Sequence, residues 1–360
     1  MPKLSEYKCI NCNGALKFDS KLQKLKCPFC DSTFTVDELS KLDSQLGGGN
    51  IEGNSWAQDI TPNTWADGET DGLYSYVCRS CGGEIIGDAN MAATSCPYCG
   101  NPVVVLGAFT GKLKPDYVIP FKLSKEEAVA ALGRHLQGKR LLPKVFKDEN
   151  KLKEIKGVYV PFWVFDSELY GDYSYKTTTV HKWSDKYYDY TETKFYDVYR
   201  EGNISFRSVP IDGSEKFDDA LMESIEPFDF SEAVDFKTAY LAGYLADKFD
   251  VNTDVSWQRA GTRMANTTQQ SFYDTVTGYA SVRQNTGDCT VLSKSAKYAL
   301  FPVWLLSTVW KGETYTFAMN GQTGKFVGDL PVDKKAAARW LIGLGLGIAA
   351  AIFLVTLLFI

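Results

Sequence analysis

Histidine is nearly absent: the chain of 360 residues holds two, His135 and His181, in unrelated segments. General acid and base catalysis falls most often to histidine, so this scarcity removes most of the usual catalytic arrangements. Each of the two reads as a surface or edge residue. An excess of positive charge is missing as well. Lys and Arg total 39 against 44 acidic residues, so the overall field gives a polyanion no advantage, and nucleic acid is not expected as a partner. There is no phosphate loop. "NGQTGKF" (320–326) lacks the G-x-x-x-x-G-K-[ST] spacing and has Phe326 where Ser or Thr should follow Lys325, so turn chemistry accounts for it. The opening "MPKLSEYKC" has no apolar run of the kind a secretory signal needs, which predicts cytoplasmic N-terminal domains.

Cysteine, by contrast, is plentiful and patterned. Of nine cysteines, eight fall into four Cys-x-x-Cys pairs: Cys9 and Cys12, Cys27 and Cys30, Cys78 and Cys81, Cys96 and Cys99. This is the spacing of metal knuckles in a reducing compartment, not of a secreted disulfide framework. An offset of 69 residues superposes the two halves of the set without a gap and also matches Tyr7 with Tyr76, Gly14 with Gly83, Asp19 with Asp88 and Pro28 with Pro97. The chain therefore carries an internal repeat. Two residues between thiolates let one turn aim both sulfurs at one ion, and the arm between the pairs suits a hairpin that brings the second pair opposite the first. Two zinc ions are expected, each in a closed and therefore structural site of four thiolates. Iron in a rubredoxin-like electron-transfer site uses the same two knuckles and stays open as an alternative. Cys289 is left over and reads as a small half-buried side chain.

The organisation follows from these landmarks. Residues 1–45 form a first zinc ribbon, 46–72 a Gly- and Asn-rich linker, and 73–112 a second ribbon. Residues 113–332 read as an α+β domain on an antiparallel sheet. Within it, Ser124 and Glu127 form a capping box ahead of a helix with Ala128, Val129, Leu132 and Leu136 on one face. Further helices are expected near 215–225 and 254–272, while "AYLAGYLADKFDV" fits both periods. The stretches "KGVYVPFWVFDSELYGDYSYKTTTVHKW" and "YDYTETKFYDVYREGNISFRSV" alternate as strands with one face in water. "WKGET" and "NGQTG" supply hairpin turns. The Tyr run from Tyr170 to Tyr199 also holds Asp172, Asp185, Asp189, Glu192 and Asp197; it reads first as a solvated antiparallel sheet and, as a functional surface, suits protein binding better than base stacking.

The stretch from Trp340 to Ile360 has no charge. As a helix it would extend about 32 Å against a hydrocarbon core of about 30 Å, and Lys334, Lys335 and Arg339 precede it. The expectation is a C-terminal transmembrane helix over 333–360 with its basic flank, a single-pass cell-membrane protein with the bilayer contacted through 340–360, and the N-terminal domains cytoplasmic. Gly343, Gly347 and Ala351 make a smooth stripe suited to helix–helix contact.

Taken together, the paired ribbons, "VIPFKLSKEEAVAAL", "GVYVPFWVFD", "AYLAGYLADKFDV", "LFPVWLL", "NGQTGKFVGDLP" and the terminal segment resemble bacterial TFIIB-type zinc-ribbon-containing proteins, some of which carry a primosomal-helicase label. The resemblance covers nearly the whole chain. It implies membrane association and, for some relatives, a link to phage-shock envelope-stress systems in which a PspA-like protein is recruited. It carries over no catalytic residue, only the eight cysteines. The reading is a non-enzymatic, membrane-tethered adaptor for protein partners. A nucleic-acid-associated protein at the membrane and an enzyme of unknown chemistry in the α+β domain are the alternatives.

Overall fold

The computed structural model describes residues 16–28, 31–38, 63–66, 68–88, 95–101, 103–108, 113–148, 152, 154–328 and 330–358. In chain order, β1 (Lys17–Asp19), β2 (Lys24–Lys26) and β3 (Thr33–Phe34) form a small antiparallel meander. They are followed by β4 (Leu73–Val77), β5 (Glu84–Asp88), β6 (Val104–Ala108) and β7 (Tyr117–Val118). Helix α1 (Lys125–Leu136) begins at the capping box, with Ser124 and Glu127 bonded reciprocally. Then come β8 (Lys156–Ser184), β9 (Asp189–Asp212), α2 (Asp219–Ser224), β10 (Val234–Asp235), β11 (Leu245–Asp247) and α3 (Thr253–Asp274). Strands β12 (Ser281–Trp310), β13 (Glu313–Asn320) and β14 (Phe326–Gly328) precede α4 (Lys334–Leu358).

Three strands dominate. β8, β9 and β12 have 29, 24 and 30 residues, so each is roughly 80–100 Å long at about 3.3 Å per residue. β12 and β9 flank β8 antiparallel on either side. Near the start of β8 the sheet widens through β11, which runs parallel to it, and continues to β5, β4 and β6. Here the strands are apolar on both faces. Tyr159, Trp163, Phe165, Leu300 and Trp304 face one core with α1 and the β1–β3 meander. Val158, Val160, Phe162, Phe301 and Val303 face the other. Burial on both sides explains the unbroken run "VYVPFWVF", which alternation alone would not produce. The ambiguous segment resolves into a short 3-10 turn over Thr238–Leu241 and the buried β11.

Two expectations are corrected. The architecture is not two small ribbons followed by a separate α+β domain and a membrane helix. It is mostly β, and the second repeat belongs to the main sheet, because Ile85 and Ile86 on β5 pair with Asp247 and Ala246 on β11. A ribbon of that size cannot bury Leu73, Tyr76, Ile85 and Ile86 by itself, so they are sealed against the larger domain. The β1–β3 meander docks likewise: Phe18 N–H donates to the Ala242 carbonyl at 3.1 Å and the Gln23 amide to the Phe121 carbonyl at 2.7 Å. Second, among the described residues no helix is long and apolar enough to cross a membrane. Helix α4 opens on Lys334, Lys335 and Arg339, and Gly343, Gly345 and Gly347 interrupt the apolar side chains Trp340, Leu341, Ile342, Leu344, Leu346 and Ile348. The single-pass span and the localisation built on it are overturned.

Candidate metal centre

Cys78, Cys81, Cys96 and Cys99 converge on one point, with all four sulfurs within 4.8 Å of one another. Cys78 Sγ lies 3.5 Å from Cys99 Sγ, and Cys81 Sγ 3.6 Å from Cys96 Sγ. Thiolates about 2.3 Å from a tetrahedral ion stand about 3.8 Å apart, so the donor set and its spacing fit a four-coordinate metal. Each pair sits on a turn of the same build. Gly82 N–H donates to the Cys78 carbonyl and Cys78 N–H to the Gly83 carbonyl; Gly100 N–H donates to the Cys96 carbonyl and Cys96 N–H to the Asn101 carbonyl. Gly82 and Gly100 hold φ of +71° and +76°, the left-handed conformation that glycine adopts without strain.

The thiols do not titrate alike. Burial pushes Cys96 and Cys81 upward. Burial also opposes ionisation at Cys99, but donors from the Asn101 backbone and side chain overcome it and bring this thiol down to about 7. The Asn101 amide nitrogen lies 3.4 Å from Cys99 Sγ and 3.0 Å from Ser80 Oγ. A bound cation would favour thiolate at all four positions.

The centre is keyed to the sheet by residues that carry no metal-binding signature. Ser307 donates to the Pro97 carbonyl, and Lys156 donates to the Oγ and carbonyl of Ser95. Burial drives Lys156 down to about 8. Tyr98, the variable residue of the Cys-Pro-x-Cys turn, is inserted against Phe217. Burial and the neighbouring Asp247 carboxylate push its phenol well above the ordinary range. Only the apolar character of Tyr98 within a cysteine turn signalled this role in the sequence.

Of the first repeat's ligands, Cys27 is buried and described, whereas Cys9, Cys12 and Cys30 lie outside the described residues. Around Cys27 the turn of the second repeat recurs: Asp31 N–H donates to the Cys27 carbonyl, Cys27 N–H to the Ser32 carbonyl, and Asp31 takes the positive φ of 56°. Cys289 is half-buried on β12 beside Tyr173, and burial raises its thiol. His135 packs at a tilt against Phe326 next to Lys139, and His181 packs on Trp183.

A second feature is the far end of β8 and β9. α3 covers this arm as far as Tyr173, Tyr175 and Val198, which form a small core with Phe272 and Val276. β12 pairs with β8 only up to Thr178. Beyond that point, residues 179–194 form a two-stranded tip. Asp185 organises its turn, accepting from Tyr187 and Tyr188 N–H at 2.8 Å each and from the Tyr190 hydroxyl at 2.9 Å. Trp183 stacks on Tyr190 with centroids 5.3 Å apart and an interplanar angle of 9°. Tyr187 is 77% exposed and Tyr188 67%.

The chain is 33% identical over 352 residues to the uncharacterized protein YdjG of Bacillus subtilis (strain 168), covering 98% of this chain and 97% of the relative. No family model and no solved structure matches. The chain belongs to the YdjG family.

Proposed function

We propose that this protein is a non-catalytic adaptor, stapled by zinc, that presents an aromatic-tipped β arm to protein partners. The observation that carries the reading is the tip itself. Two strands without a covering layer are marginal in water, yet this pair holds Trp183 stacked on Tyr190, Tyr188 edge-on to Tyr190 and Tyr187 exposed beside them. Rigid tyrosine and tryptophan surfaces are what protein interfaces concentrate at their centres. The charges around them favour protein over polyanion: Lys176, Lys182, Lys186, Lys194 and Arg200 are set against Asp185, Asp189, Glu192 and Asp197.

The metal assigned to Cys78, Cys81, Cys96 and Cys99 is zinc. Four thiolates leave no open position for substrate or water, so the ion closes the turns and fixes Tyr98 and Pro97 against the sheet. A second zinc is assigned to Cys9, Cys12, Cys27 and Cys30, supported by the repeat and by the shared turn at Cys27 and Cys96. Elemental analysis should give two zinc equivalents per chain and one after Cys78→Ser with Cys81→Ser. A red protein containing iron would replace this reading with electron transfer.

The adaptor reading is tested in cells by placing a photo-crosslinking residue at Tyr187 or Tyr188. Discrete protein adducts, lost when Trp183 and Tyr190 are replaced by Ser, are expected. Adducts to nucleic acid, or none at all, would overturn it.

A further inference from the structure

The outer edge of β9 has no partner strand among the described residues, since β9 pairs with β8 alone. The other free edges are short or interrupted: β6 has five residues, β14 three and β10 two, and the outer edge of β12, open over 281–297, carries Gly287 and register shifts at Gln284/Thr286 and Val291/Ser293. Natural sheets keep edge strands short, bulged or proline-guarded, because an open row of N–H and C=O groups templates another strand. The two ends of β9 differ in this respect. Toward the body it is guarded by Pro210, by Ser208 at a φ of +54°, and by the register shift opposite Phe165 and Ser167. From Asp189 to Glu201 it has no proline, glycine or shift. Phe195 and Tyr199 there are 79% and 69% exposed on the outer face.

We propose that this stretch, Thr191–Glu201, pairs antiparallel with the same stretch of a second copy, about a two-fold axis at Tyr196. The choice of a second copy rests on charge. Pairing about Tyr196 sets Glu192 directly opposite Arg200 of the other chain, and by symmetry does so twice. Directly opposed opposite charges favour a register, and like charges disfavour it. Moving the axis to Asp197 opposes Asp197 with itself and Lys194 with Arg200; moving it to Lys194 opposes Lys194 with itself. Axes at Phe195 or Val198 form no ion pair. The Tyr196 register also brings Phe195 diagonal to Tyr199 of the other chain, covering the two most exposed rings of the edge. Arg200 is already oriented, with Nε donating to Thr275 Oγ1 at 3.0 Å, so little side-chain freedom is lost on pairing. The inference does not depend on what the tip binds.

Sedimentation velocity on the full chain tests it. A reversible, concentration-dependent shift to twice the chain mass is expected. Glu192→Arg and Arg200→Glu alone should each raise the dissociation constant about tenfold or more, since two opposed pairs change sign. Together they should restore it. Glu192 is an exposed strand site and Arg200 a half-buried one, and circular dichroism verifies that each variant keeps its sheet. A chain that stays monomeric at high micromolar concentration, or a dimer whose dissociation constant ignores the single reversals, would overturn the proposal.

Discussion

The Ser307 hydroxyl on β12 donates to the Pro97 carbonyl at 2.8 Å across a sequence separation of 210 residues, tying the second cysteine turn to one of the three long strands of the sheet. With Lys156 on Ser95, it makes the metal centre part of the sheet, not an appended module. Ser307→Ala leaves a buried carbonyl without this donor. It should lower unfolding stability by about 1 kcal/mol, read from the midpoint of a urea titration. An unchanged midpoint would mean that the turn is held by its metal alone.

Gly83 is required by Tyr98. A Cβ at Gly83 would stand 2.7 Å from the Tyr98 Cδ2 and 2.8 Å from Cε2, inside the contact distance of any real side chain. The ring cannot swing away, because it is buried against Phe217. Gly83→Ala should therefore cost about 1–3 kcal/mol as overpacking. Adding Tyr98→Leu, which removes the obstructing ring, should make the alanine at position 83 nearly neutral in that background. A double-mutant cycle on thermal unfolding measures the coupling; additive effects would place the strain elsewhere.

Removing the metal should loosen one end of the sheet first. Among the described residues, β4, β5 and β6 are strand-paired to the long strands through β11 alone, so loss of the ion at Cys78, Cys81, Cys96 and Cys99 frees Tyr98 and the turns beside it. Amide exchange with chelator present should accelerate in β4 and β5 and leave the β8–β12 pairing of 158–178 protected. Uniform acceleration across both regions would show instead that the sheet opens as one cooperative unit.

How far the sequence predicted this structure varies with the range of the forces involved. The capping box at Ser124 and Glu127, the helix near 254–272 and the turns at Lys311–Gly312 and Asn320–Gly324 are set by neighbours within a few residues, and each lies where the pattern put it. Convergence of Cys78, Cys81, Cys96 and Cys99 followed equally from local spacing. What spacing does not encode is which surfaces seal one another. Ile85 reads as a ribbon residue until Asp247 on β11 pairs with it, and Trp65 as a linker residue until it packs on Phe236 and donates to the Leu113 carbonyl. The two aromatic, β-branched stretches coincide with β8 and β9 almost end to end, but no single period showed that these strands pass from burial on both faces in the body to exposure on both at the tip.

Asp247 gives the fold a pH dependence of definite sign. The residue is 2% exposed, and burial pushes its carboxyl up to about 7 despite a Ser214 hydroxyl donating to Oδ2 at 2.5 Å and the Lys248 N–H donating to Oδ1 at 2.9 Å. In the unfolded chain the same group ionises in the ordinary carboxylate range, so between that range and about 7 the folded state binds more protons. Stability from this group is therefore greatest in acid and is lost as pH rises toward 7, beyond which its contribution is flat. Asp212 acts in the same sense. Burial raises it to about 6 although Arg259 lies 3.2 Å away. Asp247→Asn removes the ionisation and should stabilise the protein progressively more as pH rises from about 4 to about 7, by about 1 kcal/mol or more at about pH 8 and least below about pH 4, where the carboxyl is protonated in both states. Denaturant titrations of both proteins across this range check the prediction. Equal stabilities at about pH 8 would show that the buried carboxylate is compensated by its donors, while a gain confined to low pH would reverse the assigned sign.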